Sequence, residues 1–117
     1  AAAMAAAAVV ELLGGAPAQS FDAAAIAIKN SLGLVCDPVA GLVEIPCIKR
    51  NAGGVVNALT AADMALAGIV SRIPFDDAVD AMNRVGRQLP SSLRETAAGG
   101  LATTKTGLEL AAALQNR

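Results

Sequence analysis

Alanine has to fill the interior of this chain. Alanine-dominated stretches recur at 1–8, 23–27 and 111–113, and although 55% of the residues are apolar only 2% are aromatic. A core without large side chains forces its elements into close approach. Alanine allows that on helices, where its intrinsic propensity is also highest. No stretch alternates with period two for long enough to make a strand. The reading is all-α: a compact bundle of about five helices in a single domain over residues 1–117.

Glycine and proline punctuate the bundle. A first helix runs from Ala1 to Leu13 and stops at Gly14-Gly15 with Pro17 beyond. Ser20 is the expected cap of the second helix, with Asp22 in its first turn and Gly33 at its end. Leu34 to Pro46 contains Pro38, Gly41 and Pro46 and reads as an irregular loop. Pro46 then opens a third helix through Ile48, Val55, Val56, Leu59 and Met64 to about Ala67. Gly53-Gly54 inside it implies close approach of another backbone or a ligand. Pro74-Phe75-Asp76-Asp77 opens a fourth helix ending near Gln88, with Ala78, Val79, Met82 and Val85 as its apolar stripe. A turn at Pro90-Ser91-Ser92 follows, the Gly99-Gly100 pair breaks it, and Thr106 is the expected cap of a last helix from Gly107 to about Gln115.

Charge is sparse, at 16% of residues against roughly 25% in an average soluble domain. A surface so poor in charge is expected to be covered in part by another domain or subunit. The opening Ala1-Ala2-Ala3-Met4 reads as mid-helix without a cap, so the natural polypeptide is expected to continue upstream. It lacks the basic region of a signal peptide. No apolar run reaches the roughly 18 to 20 residues of a bilayer span, since Gly14, Gly15 and Pro17 end the first and Asp63 interrupts the longest later one. A net charge of −1, with scattered Lys and Arg and neither Trp nor Tyr, leaves no footprint for nucleic acid. The expectation is a soluble, cytoplasmic protein.

The chain has two cysteines, Cys36 and Cys47, bracketing the irregular loop, and no histidine. Read from the residues alone, they are two buried small hydrophobes, a disulfide, or a metal-binding pair. A tetrahedral zinc site would need ligands from outside the chain. An iron–sulfur cluster needs thiolates, and two here with one elsewhere would hold a cubane with one open iron.

The run Cys36-Asp37-Pro38-Val39-Ala40-Gly41-Leu42-Val43-Glu44-Ile45-Pro46-Cys47-Ile48-Lys49-Arg50-Asn51 resembles the cluster-ligand segment of the iron–sulfur L-serine dehydratases. Leu93-Arg94-Glu95-Thr96-Ala97-Ala98-Gly99-Gly100-Leu101-Ala102 resembles their C-terminal signature, and Thr103-Thr104-Lys105-Thr106-Gly107 looks like the α chain of the two-subunit form. Two motifs in the right order make the resemblance specific. It implies that the chain is the C-terminal portion of a larger all-α catalytic domain, with a β regulatory domain or subunit as partner in an oligomer. It also implies a lyase of serine catabolism that turns L-serine into pyruvate and ammonia without pyridoxal phosphate. Of the family's three ligands to a [4Fe–4S] cluster, the second and third correspond to Cys36 and Cys47, so this stretch alone is expected to lack a complete cluster and to be inactive. Ala40 stands where glycine is expected.

The resemblance implies that an open iron takes up the charge of the departing serine hydroxyl. Lys49, Arg50 and Asn51, on the first turn after Cys47, are the candidates to bind the substrate carboxylate or hydrogen-bond the cluster. With no histidine here, an imidazole base would come from elsewhere. Glu44 is either a supporting partner or an exposed carboxylate. Arg94 and Glu95 read first as a structural pair and second as an approach to the active site. Lys105 could contact an anion, and Asp63, if buried, needs Arg72 or Arg84. The rival reading is a helical assembly module with alanine faces for docking and inert cysteines.

Overall fold

The structure, a computed structural model, describes residues Ala1–Asn116. It is all-α as expected, with five α-helices: α1 (Ala2–Leu12), α2 (Pro17–Lys29), α3 (Cys47–Leu66), α4 (Phe75–Gln88) and α5 (Lys105–Gln115). Single 3₁₀ turns cover Val39–Gly41, Ser91–Leu93 and Gly100–Thr103. Among the described residues no helix is long and apolar enough to cross a membrane. The contacts divide the chain into two compact units, one of Ala1–Leu32 with Ala52–Gly86, the other of Gly33–Asn51 with the residues from Arg87 onward.

The first unit holds the alanine core. Ala58, Ala61, Ala62 and Ala65 follow an i, i+3, i+4, i+7 pattern and so share one face of α3. That face is buried with Ala6 and Val10 of α1 and Ala23, Ile26 and Ala27 of α2. A second patch joins Ala25 and Ile28 to Ala78 of α4. Of the large apolar residues of α3, Met64 and Leu66 pack partly buried against this cluster, whereas Ile48, Val55, Val56 and Leu59 are exposed. The mostly methyl-sized side chains let these helices approach closely, with Val10, Ile26 and Ile28 filling the wider gaps.

Close approach also explains Gly15. A Cβ there would come within 2.5 Å of the Val10 Cγ1 and 2.9 Å of the Leu66 Cδ2. At Gly53 and Gly54 no backbone among the described residues approaches closely, since a Cβ on either would meet nothing within 4 Å.

The second helix starts earlier than Ser20 suggests. Pro17 occupies its first position, where a missing N–H is harmless, and the Gln19 Oε1 accepts from the Ala16 N–H at 2.9 Å. Ser20 is therefore inside α2, its buried Oγ without a hydrogen-bond partner. Asp22 instead accepts from the Ser71 N–H at 2.9 Å, and the Lys29 Nζ donates to the Ser71 Oγ at 2.7 Å. Asp63 is exposed and needs no burial partner.

In the second unit, α5 packs on the turns Val39–Gly41 and Gly100–Thr103. Its cap is Thr104, not Thr106: the Thr104 Oγ1 accepts from the Gly107 N–H at 3.1 Å. Thr104 has the extended backbone a cap requires (ψ 157°), whereas Thr106 already lies within the helix.

Candidate functional site

The cysteine loop lies in the second unit and is closed by its own backbone. The Val39 N–H donates to the Ile45 carbonyl at 2.9 Å, and the 3₁₀ turn donates back from Gly41 to Pro38 and from Leu42 to Val39. Val39 and Pro38 are buried beneath a tip, Ala40–Ile45, that is exposed. Ala40 has φ 55° and ψ 16°, in the left-handed region. That is the physical reason glycine is expected at this position. At the far end the Pro46 carbonyl accepts from the Lys49 and Arg50 N–H groups, starting α3 with Cys47 as its first residue.

Cys36 is fastened to the second motif. Its N–H donates to the Leu93 carbonyl at 2.9 Å, and its carbonyl accepts from the Glu95 N–H at 2.7 Å, an isolated parallel bridge. The backbone of Leu93-Arg94-Glu95 therefore does the joining, and the Arg94 and Glu95 side chains are both exposed.

Asp37 organises the rest. Only 2% of its surface is accessible, and a carboxylate so buried persists only when its charge and lone pairs are matched. Its Oδ1 accepts from the Arg50 Nη1 at 2.5 Å and its Oδ2 from the Leu101 N–H at 2.6 Å. The same Arg50 nitrogen reaches the Val35 carbonyl at 3.2 Å. Burial pushes the carboxyl toward its neutral form, but the Leu101 N–H and the Arg50 guanidinium together outweigh it and hold the pKa below the ordinary aspartate value.

Gly99 and Gly100 make room for this contact. Gly100 has φ +60°, and a Cβ on it would lie 2.7 Å from the Asp37 Cβ. A Cβ on Gly99 would lie 2.9 Å from the Ser92 carbonyl oxygen. Gly100 thus packs backbone against the buried carboxylate, while Gly99 packs against the Ser91–Leu93 turn.

Neither thiol is in a disulfide; Cys36 is exposed and Cys47 half-buried. Partial burial, then the negative charges of Glu95 and Cys47, push the Cys36 thiol above its ordinary pKa. Two thiols are soft donors suited to an iron–sulfur cluster. No group of three or more His, Cys, Asp or Glu side chains converges to hold a metal among the described residues.

The three substrate-binding candidates fall on one turn. Lys49 and Asn51 are exposed beside Arg50, whose side chain is 42% exposed while one of its nitrogens turns inward to Asp37. Glu44 is exposed on the loop, and Lys105 is exposed at the start of α5. Asp37 is the residue that sequence reasoning passed over. Its signal was available: a lone acid between Cys36 and Pro38, with a basic residue one helical turn beyond the second cysteine.

A thiol-bearing loop, clasped to a glycine-rich segment through a buried carboxylate and a backbone bridge, is thus what both recognisable motifs build together. The model of the family described as serine dehydratase alpha chain matches residues 1–102. The chain is 66% identical over 107 residues to a probable L-serine dehydratase alpha chain of Bacillus subtilis (strain 168), covering 92% of this chain and 36% of that one. It is 64% identical to a probable L-serine dehydratase alpha chain of Latilactobacillus sakei, covering 94% of this chain and 53% of the relative. It is 58% identical to the L-serine dehydratase alpha chain of Peptoniphilus asaccharolyticus, covering 94% and 38%. The chain belongs to the serine dehydratase alpha chain family. It spans between about a third and a half of the length of these relatives.

Proposed function

We propose that this chain is part of an L-serine dehydratase that converts L-serine to pyruvate and ammonia, with Cys36 and Cys47 as two thiolate ligands of a [4Fe–4S] cluster. The observation that carries the reading is the pair of free thiols on a loop whose backbone is closed at Val39–Ile45 and fastened at Cys36–Glu95. The family membership supplies the reaction class. The third ligand, the remainder of the catalytic domain and a β domain or subunit lie outside this chain, in an oligomeric cytoplasmic enzyme that uses no pyridoxal phosphate. The stretch 1–117 alone is inactive in this reading.

Elimination removes a proton from Cα and hydroxide from Cβ, and the aminoacrylate formed tautomerises and hydrolyses to pyruvate and ammonia. Bound at the two thiolates, the cluster supplies a Lewis acid for the departing hydroxyl. The chain's own residues then hold the substrate. Lys49, Asn51 and the outward part of Arg50 present donors on the first turn of α3, where an amino-acid carboxylate gains charge-assisted hydrogen bonds. The inward Arg50 nitrogen stays on Asp37, so the guanidinium is oriented before substrate arrives. With no histidine in the chain, an imidazole acceptor for the Cα proton comes from another part of the protein.

Anaerobic reconstitution of the full-length protein with iron and sulfide tests this. A broad visible absorbance and serine-dependent pyruvate release are expected, and both are lost in Cys36→Ser and Cys47→Ser. Full activity in both variants would overturn the cluster assignment and favour the docking-module reading, to which the exposed Ile48, Val55, Val56 and Leu59 would then belong.

A further inference from the structure

We infer that Asp37 is a positioning residue for the thiol pair: its buried carboxylate ties the Cys36 loop to the helical turn that carries Cys47. The inference rests on the ligand role proposed for the two cysteines. Asp37 follows Cys36 directly, and its partner Arg50 stands three residues beyond Cys47, so the two lie on the same side of the first turn of α3. The 2.5 Å Arg50–Asp37 bond is thus a crosslink between the two cysteine-bearing segments, at the end of an otherwise exposed loop.

Two further contacts show that this link is anchored. The Leu101 N–H holds the second carboxylate oxygen at 2.6 Å, and Arg50 also reaches the Val35 carbonyl, one residue before Cys36. The Val39–Ile45 bond closes the tip, and the Ile48 N–H on the Glu44 carbonyl joins that tip to the helix start. The Asp37–Arg50 bond adds a direct link from the helix start to the residue next to Cys36. Partners that orient metal ligands in this way typically contribute about 10- to 100-fold in metal affinity.

The experiment uses the full-length enzyme, first free of metal. A short bifunctional thiol reagent, with the Cys36–Cys47 product quantified by peptide mass spectrometry, reports the spacing of the pair directly. Asp37→Asn, folded by circular dichroism, is expected to form this product several-fold more slowly and to bind iron about 10- to 100-fold more weakly on reconstitution, with an altered cluster electron paramagnetic resonance signal. Arg50→Lys, which keeps the charge, is expected to recover most of both readouts; Arg50→Met is expected not to.

Unchanged crosslinking and an unchanged cluster signal in folded Asp37→Asn, whatever its unfolding midpoint, would overturn the inference by leaving Asp37 a purely structural group. Should Asp37→Asn fail to fold, the Arg50→Met and Arg50→Lys pair decides the question, since that side chain is 42% exposed and its loss leaves no core cavity. The ligand assignment fails separately: clusters retained by Cys36→Ser and Cys47→Ser would remove it while leaving the metal-free crosslinking result intact.

Discussion

Replacing Gly100 by alanine gives a sharp test of how the two motifs meet. Gly100 has φ +60°, where an L side chain costs about 1–2 kcal/mol. Alanine recovers about 0.4–1 kcal/mol by restricting the unfolded chain. On dihedral grounds alone the substitution would therefore cost no more than about 1.5 kcal/mol. The new Cβ, however, would sit 2.7 Å from the Asp37 Cβ and 2.8 Å from its Cγ, and the clash includes the carboxylate oxygen. Asp37 is buried and held from two sides, so it cannot swing away without stretching bonds to Arg50 and Leu101. Overpacking of this kind adds about 1–3 kcal/mol. The expected total is about 3 kcal/mol, large against the marginal stability of a domain of this size. Gly41→Ala is the control, because φ there is +73° and a Cβ would meet nothing within 4 Å. Urea unfolding followed by circular dichroism should place Gly100→Ala about 2 kcal/mol below Gly41→Ala. Equal midpoints for the two variants would refute the account of Asp37 as the group that fills the space beside Gly100.

Ala40→Gly relieves a left-handed alanine in open loop and should leave stability unchanged or raise it by up to about 1 kcal/mol in the same unfolding assay; a loss would mean that the φ of 55° is not what limits this position. Ser20→Ala deletes a buried hydroxyl without a partner inside α2 and should raise the unfolding midpoint by up to about 1 kcal/mol, so a clear destabilisation would reveal a bond that hydroxyl makes. Ala61→Leu forces three more carbon atoms into a fully buried helix contact and should cost about 1–3 kcal/mol, whereas Leu59→Ala, at a residue 48% exposed on the other side of α3, should stay within about 1 kcal/mol of the parent. Reversal of that order would place the core on the wrong face of the helix.

The helices were legible because alanine propensity and glycine–proline punctuation act locally. Gly14 with φ +79°, Pro17 at a first helical position and Pro74 before α4 set boundaries with no tertiary information. Caps were harder to read, for a physical reason. Ser20 and Thr106 have the right hydroxyls, but capping depends on which residue is extended when the helix begins, and Pro17 and the ψ of Thr104 decided that. The core face of α3 is not marked by its larger residues, because size is an unreliable guide to burial among close-packed helices. Ala58, Ala61, Ala62 and Ala65 are inside while larger neighbours are out.

At the site, type and spacing of residues pointed to the cysteines and the turn after Cys47, but the residue that joins them was hidden by distance along the chain. Asp37 meets Arg50 thirteen positions on and Leu101 sixty-four positions on, and no local rule brings those three together. Its burial gives the two motifs a shared physical explanation. Gly100 lacks a side chain because Asp37 occupies that volume, and the Leu101 N–H next to it is one of the donors that let a carboxylate be buried there. Arg50 supplies the opposite charge from the segment that begins at Cys47. Each motif therefore contains a group that the other cannot do without. Without the Gly99-Gly100-Leu101 backbone the Asp37 Oδ2 would lose its donor and the carboxylate would keep only Arg50, and that backbone would line a void without Asp37.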